Sequence, residues 1–326
     1  MWLIFALSAA LSDSAMDVIG KKGLENANFA PYTISWGLTF FGACFLFPFV
    51  CWLGFPSIDH HLFWIVLLLG SILNVFAFGN YFSSLQIADL SLIAPLTCLT
   101  PVFLLFISPL FLLLSGEDIT NELPTLSGIL GVCLIFVGSY ILNINNQQKG
   151  YLEPIKSMFN NSGCRKAVLA AFIWSVTMSL SKVGIHCITS DNGFQKAIFW
   201  GCLLMFTISV FTIPFVIQEY RQSQENLKNN DNNTQTKSSN WRGWRTLVGI
   251  GLVNAWLMFS QMVALDLVVA AYAIAVKRLG NIFKVLLGAL LFNESNFKER
   301  MSAGLVMIIG VIFITITDLI PFSWFP

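Results

Sequence analysis

The chain has 326 residues, of which 56% are hydrophobic and only 11% charged, with a formal net charge of +1 and a mean hydropathy of +0.73. A soluble domain carries roughly 25% charged residues, so the composition excludes an ordinary soluble enzyme. The near-zero net charge, with no basic face interleaved with aromatics, also argues against nucleic acid as a partner.

A hydrocarbon core takes about 20 apolar residues of helix. Such stretches are predicted at 2–19, 33–53, 62–85, 90–114, 124–142, 167–188, 197–217, 247–265, 268–292 and 301–320. The first lacks a basic n-region and a small-residue cleavage signature, so it is expected to be a retained helix. It carries Asp13 and Asp17, four residues apart and therefore on one face. His60 and His61 fall in the loop after the second stretch with no metal-ligand set around them, and read as a solvated pair. Asn74 and Asn80 lie in the third stretch, and Pro95, Pro101 and Pro109 predict a kinked fourth helix. The sixth carries Lys182 with His186 one turn on, and the eighth carries Asn254 and Gln261. Between the seventh and eighth, residues 219–245 are Asn-rich and without periodicity, and read as a disordered loop. The seven cysteines stand singly, with no Cys-x-x-Cys, and read as core thiols. No catalytic set, metal or cofactor is expected.

The two halves repeat. Asp89, Leu90, Ala94 and Glu117 match Asp266, Leu267, Ala271 and Glu294 without a gap, and a glycine-bearing helix follows in each half. Ser14, Lys21 and Gly23 of the first helix match Ser175, Lys182 and Gly184 of the sixth. The expected fold is an all-α membrane protein of ten transmembrane helices in two five-helix repeats, residues 1–148 and 149–326. An odd number of helices per repeat inverts the second copy in the bilayer, the plan of many secondary transporters.

Lys149, Lys156, Arg165, Lys166, Arg221, Lys228, Lys237, Arg242, Arg245, Lys298 and Arg300 share one face of this topology, against Lys196 on the other. The positive-inside rule then makes the 219–245 loop cytoplasmic and puts both termini outside. The expected location is a bacterial inner (plasma) membrane.

The ninth stretch, LVVAAYAIAVKRLGNIFKVLLGALLF, places Lys277, Arg278 and Lys284 near the centre of a membrane span. Each such charge opposes insertion by roughly 2.5–3.5 kcal/mol. Residues 277, 281 and 284 fall at i, i+4 and i+7, so a continuous helix would align Lys277, Asn281 and Lys284 as a polar stripe beside Arg278. Lys182 offers a further cation, and Asp13 and Asp17 the counter-charges or a coupling site. Counted together, the cations exceed the acids, which points to a cargo carboxylate or phosphate gripped by Lys182, Lys277, Arg278, Asn281 and Lys284. The same groups read alternatively as an internal salt-bridge network.

The doubled five-helix pattern and the segments PVFLLFISPLFLLLSGEDIT and NIFKVLLGALLFNESN resemble the EamA branch of the drug/metabolite transporter superfamily along the whole chain. The resemblance implies a secondary transporter with a central cavity between the halves, working by alternating access on a small anionic or zwitterionic metabolite. It also implies cytoplasmic termini, opposite to the charge count. The Lys277–Arg278 pair with Lys182 is reminiscent of plastid triose-phosphate translocators, although Lys284 and the flanking sequence depart from that group. The competing classes are a channel, a receptor-like component and a membrane-embedded enzyme. The sequence leaves oligomeric state open.

Overall fold

The computed structural model describes residues 1–26, 29–58, 60–88, 93, 96–115, 123–143, 160–229, 240–283 and 297–319. Ten helices are described: α1 (Trp2–Asn26), α2 (Pro31–Leu53), α3 (Leu62–Ile87), α4 (Leu99–Ser115), α5 (Leu126–Asn143), α6 (Ser162–His186), α7 (Gly193–Asn229), α8 (Asn240–Leu267), α9 (Ala270–Lys277) and α10 (Phe297–Leu319). Six contain spans long and apolar enough to cross a membrane, and Leu99–Phe111, Leu126–Leu142 and Ala303–Ile316 are shorter apolar helices. Helix suits such segments because hydrocarbon offers backbone groups no other hydrogen-bond partner.

Helix ends follow local chemistry. Pro31 opens α2, where its missing N–H is not needed, and Gly54 closes it at φ +82°, a conformation glycine adopts without strain. The Asn161 side chain accepts from Gly163 N–H (2.8 Å) at the start of α6, and Thr125 Oγ1 accepts from Gly128 N–H (3.2 Å) at the start of α5.

The packing has an internal two-fold logic. α1 packs on α8 as α6 packs on α3, α2 on α8 as α7 on α3, and α4 on α6 as α9 on α1. Exchanging the halves turns each of these pairings into its partner. It maps α2–α7, α4–α9 and α5–α10 onto themselves. In the last pair Gly131 faces Gly310 and Gly138 faces Met307, so the helices run antiparallel. A Cβ on Gly131 would stand 2.6 Å from the Gly310 carbonyl oxygen, so this contact depends on glycine.

The halves are also tied at both ends. At one end, strands β1 (Ser57–Ile58) and β2 (Ile188–Thr189) pair antiparallel, and Gln195 Nε2 donates to the carbonyls of Leu53 (2.9 Å) and Gly54 (3.0 Å). At the other, Glu219 of α7 accepts from the N–H groups of Tyr32 (3.0 Å) and Thr33 (3.2 Å), satisfying donors that the first turn of α2 leaves open. Tyr32 stacks on Phe215 with ring centroids 4.8 Å apart.

Two expectations change. The loop expected at 219–245 is helical at both ends, since α7 continues to Asn229 and α8 starts at Asn240. Glu219 lies within α7, and its carboxylate caps α2. The ninth helix, expected to be continuous, is broken. α9 ends at Lys277, Arg278 and Leu279 form a turn, and helix resumes at residues 280–283.

Candidate functional site

The break in the ninth segment organises the site. Arg278 N–H donates to Ala275 O (3.0 Å), Leu279 N–H to Val276 O (2.9 Å), Asn281 N–H to Arg278 O (3.0 Å) and Ile282 N–H to Leu279 O (2.9 Å). These i to i−3 bonds wind the chain as a tighter 3₁₀ turn. Helix α1 holds the turn in place: Ser14 Oγ donates to the carbonyl of Gly280 at 2.7 Å, and a Cβ on Gly280 would collide with the Ala10 carbonyl oxygen. Glycine is needed here because two backbones touch.

Lys277 and Arg278 stand beside the turn and converge on one carboxylate. Lys277 Nζ is 3.0 Å from Asp13 Oδ1, and Arg278 Nη1 is 3.9 Å from Asp13 Oδ2. Lys277 Nζ also donates to Gln261 Oε1 (2.7 Å), and Arg278 Nη2 to Thr100 Oγ1 (3.1 Å). One turn along α1, Asp17 Oδ1 accepts from the Tyr81 hydroxyl (2.6 Å). Asp13, Asp17 and Arg278 are all buried, and Arg278 Nε has no hydrogen-bond partner among the described residues. An unpaired buried donor on a charged group costs about 1–3 kcal/mol or more.

These groups line a cavity of about 60 Å³ at the centre of the bundle. The apolar part of the lining includes Phe78 of α3 with Trp174 and Met178 of α6. Trp174 packs on Tyr81 (centroids 5.0 Å) and on Phe78 (5.8 Å, edge to face). Asn74 and Asn254 also line the cavity, with their amides held by the carbonyls of Gly70 (2.9 Å) and Leu38 (3.2 Å).

Of the residues expected from sequence, the structure brings Asp13, Asp17, Lys277 and Arg278 together and leaves two elsewhere. Lys182 is buried, but its ammonium donates to the Val268 carbonyl (2.6 Å) at the α8–α9 junction and is not part of the cavity lining. Asn281 is turned toward α5, where Nδ2 donates to Ser139 Oγ (2.7 Å) and Cys98 Sγ (3.1 Å). The turn explains this, because the i, i+4 face assumed for a continuous helix is rotated across Arg278 and Leu279. Lys284 lies outside the described residues. Among the described residues the lining holds two carboxylates, Asp13 and Asp17, and two cations, Lys277 and Arg278.

Thr100, Tyr81, Trp174 and Met178 were not among the sequence candidates. A usable signal existed for three of them in the repeat itself. The register matching Ser14 to Ser175 sets Asp13 against Trp174 and Asp17 against Met178. The register matching Asp89 to Asp266 sets Thr100 against Lys277.

A broken helix presenting buried ions to a cavity between two symmetry-related halves is the architecture of a membrane transporter. The model of the EamA-like transporter family matches residues 1–144 and 161–316, and the chain belongs to that family. It is an integral membrane protein. A crystal structure whose chain is 15% identical matches over 99% of both chains with a TM-score of 0.68, a likeness of fold. A search of curated protein sequences finds no match.

Proposed function

We propose that the protein is a secondary transporter for a small zwitterionic or anionic metabolite with an apolar flank, working by alternating access. The observation that carries the reading is the mixed lining of the cavity, which combines the ionic Asp13, Asp17, Lys277 and Arg278 with the apolar Phe78, Trp174 and Met178. A cargo carboxylate would bind Arg278 side-on, through the free Nε and the neighbouring Nη2 in bidentate fashion. A cargo ammonium would meet the Asp13 carboxylate, and the apolar flank would rest on the Trp174 ring.

The size of the cavity favours a carrier. Sites for small molecules enclose roughly 300–1,000 Å³, and about 60 Å³ leaves room for water alone. Cargo entry requires the halves to part around the ion cluster, which is the rocking motion of inverted-repeat carriers. A channel would instead need a continuous open path.

Purified protein in liposomes tests the class. Saturable counterflow of a labelled zwitterion supports the carrier, whereas unsaturated voltage-driven current supports a channel. The cargo class is tested by thermal shift in detergent against amino-acid-like zwitterions, dicarboxylates and sugar phosphates, because a ligand of the folded form raises its stability with the logarithm of concentration. Stabilisation by sugar phosphates alone would replace this reading with the triose-phosphate-like one.

The proposed orientation keeps the α7–α8 connection cytoplasmic, in a bacterial inner (plasma) membrane. A cysteine introduced at Asn232, outside the described residues, in a chain stripped of its seven cysteines, is expected to resist impermeant thiol reagents added to intact cells. External labelling would invert the topology.

A further inference from the structure

A larger cavity lies away from the ions. A groove of about 510 Å³ runs between α2 and α7, lined by Phe40, Phe47, Val50, Phe55, Phe199 and Phe206 with neighbouring small and thiol side chains. Phe47, Phe55 and Phe206 are each more than half exposed, so the groove opens on the outer surface of the bundle, which faces lipid in a membrane. Its depth follows from the packing. α2 and α7 touch closely where Gly42 meets Met205 and Gly201 meets Leu46, and the bulky Phe side chains flanking this contact leave a trough.

One end of the groove lies at the headgroup level. Gln195 at the start of α7 is bonded to the last carbonyls of α2, so the two helices end together. Trp52, 80% exposed, and Phe55, 69% exposed and edge-on to Phe199, mark that end as a membrane–water boundary. Lys196 sits there, one turn before Phe199. At about 100° per residue, Lys196 falls within roughly 60° of Phe199 and roughly 20° of Leu203 but about 80° from Phe206 and about 120° from Cys202, so it stands at the edge of the stripe that lines the groove. Its ammonium has no ion-pair or hydrogen-bond partner among the described residues, and it is the cation that the charge pattern leaves alone on this face of the membrane.

We propose that this groove is a phospholipid site, with an acyl chain lying between α2 and α7 and the headgroup phosphate on Lys196. The lining has no polar side chain beyond thiols, which fits hydrocarbon, and the one charge at its mouth has the sign that a phosphate needs. The stretch of α2 from Phe40 to Val50 covers about 15 Å at 1.5 Å per residue, the length of a dozen methylenes. Because α2 belongs to the first half and α7 to the second, the lipid would bridge the two halves.

The test uses full-length protein in detergent with a phosphatidylglycerol carrying a photoreactive group midway along one acyl chain. Adducts are expected on the peptides containing Phe40–Phe55 and Phe199–Phe206. They should be lost when Lys196→Gln is tested, and also with the matching diacylglycerol, which lacks the phosphate. Cys44→Trp fills the trough without touching Lys196 and should abolish labelling too, with both variants checked for unchanged melting and elution. Labelling spread evenly over all lipid-facing helices would overturn the proposal. So would groove labelling that survives Lys196→Gln. None of these outcomes depends on the cargo, so the transport reading stands or falls separately.

Discussion

Helices α1 and α6 hold equivalent places in the two halves, and both line the central cavity, yet at the matching positions there their side chains differ in chemistry. α1 presents Asp13 and Asp17, while α6 presents Trp174 and Met178 at the matching positions. The broken ninth segment offers Lys277 and Arg278 where the fourth has Thr100 and Pro101. The backbone scaffold has kept its symmetry, and the cavity has given it up. A symmetric cavity would carry ions on both walls. This one takes its ions from α1 and the ninth segment and its rings from α3 and α6.

The comparison can be broken most forcefully at Asp13. Asp13→Ala leaves Lys277 and Arg278 buried around a missing counter-charge, and should cost about 3–5 kcal/mol, read as a lowered denaturation midpoint in detergent. An unchanged midpoint would mean that water or ions reach the cluster freely.

A smaller loss is expected at the point where the two central segments touch. Thr100→Val keeps the shape but removes the acceptor for Arg278 Nη2. About 1.5–3 kcal/mol of stability should go with it, while Pro101→Ala next door should leave the Arg278 contact and cargo binding intact.

Arg278→Lys keeps the charge and removes the planar fork. Cargo-induced stabilisation should weaken about tenfold in affinity, or ~1.4 kcal/mol, with little change in the melting temperature of the unliganded protein. Equal loss of both would mark Arg278 as structural cement.

The gentlest probe is Trp174→Phe on the apolar wall. It should cost about 0.5–1 kcal/mol in ring contacts and alter the ranking of cargoes by their apolar flank, as measured by competition in counterflow. A ranking unchanged by Trp174→Phe would remove the aromatic wall from recognition.

Much of this was legible beforehand for physical reasons. Long apolar stretches can only be helices in hydrocarbon, so the helices and the repeat could be read from hydropathy and matched residues. Asp13, Asp17, Lys277 and Arg278 stood out because charge at membrane depth is expensive. The break at Arg278 was illegible because it arises from tertiary contacts: Ser14 supplies a donor to Gly280, and Gly280 admits the backbone of α1. Periodicity assumed an unbroken helix, and the stripe through Asn281 failed with that assumption. Lys182 was misleading for a related reason. A lysine can be buried to hold a carbonyl at a helix junction, and sequence does not distinguish that from a cargo ligand. The aromatic wall was hidden because Trp and Met in a membrane helix are ordinary.

The glycine contact between α5 and α10 has a geometric corollary. Exchanging the halves maps this pair onto itself, so a cycle in which each half adopts the other's conformation has no need to alter it. With Gly131 against Gly310 and no side chain between the backbones, the pair has almost no slack to slide. In the proposed cycle it is suited to act as a stationary bearing, a part of the molecule that looks the same from either side of the membrane.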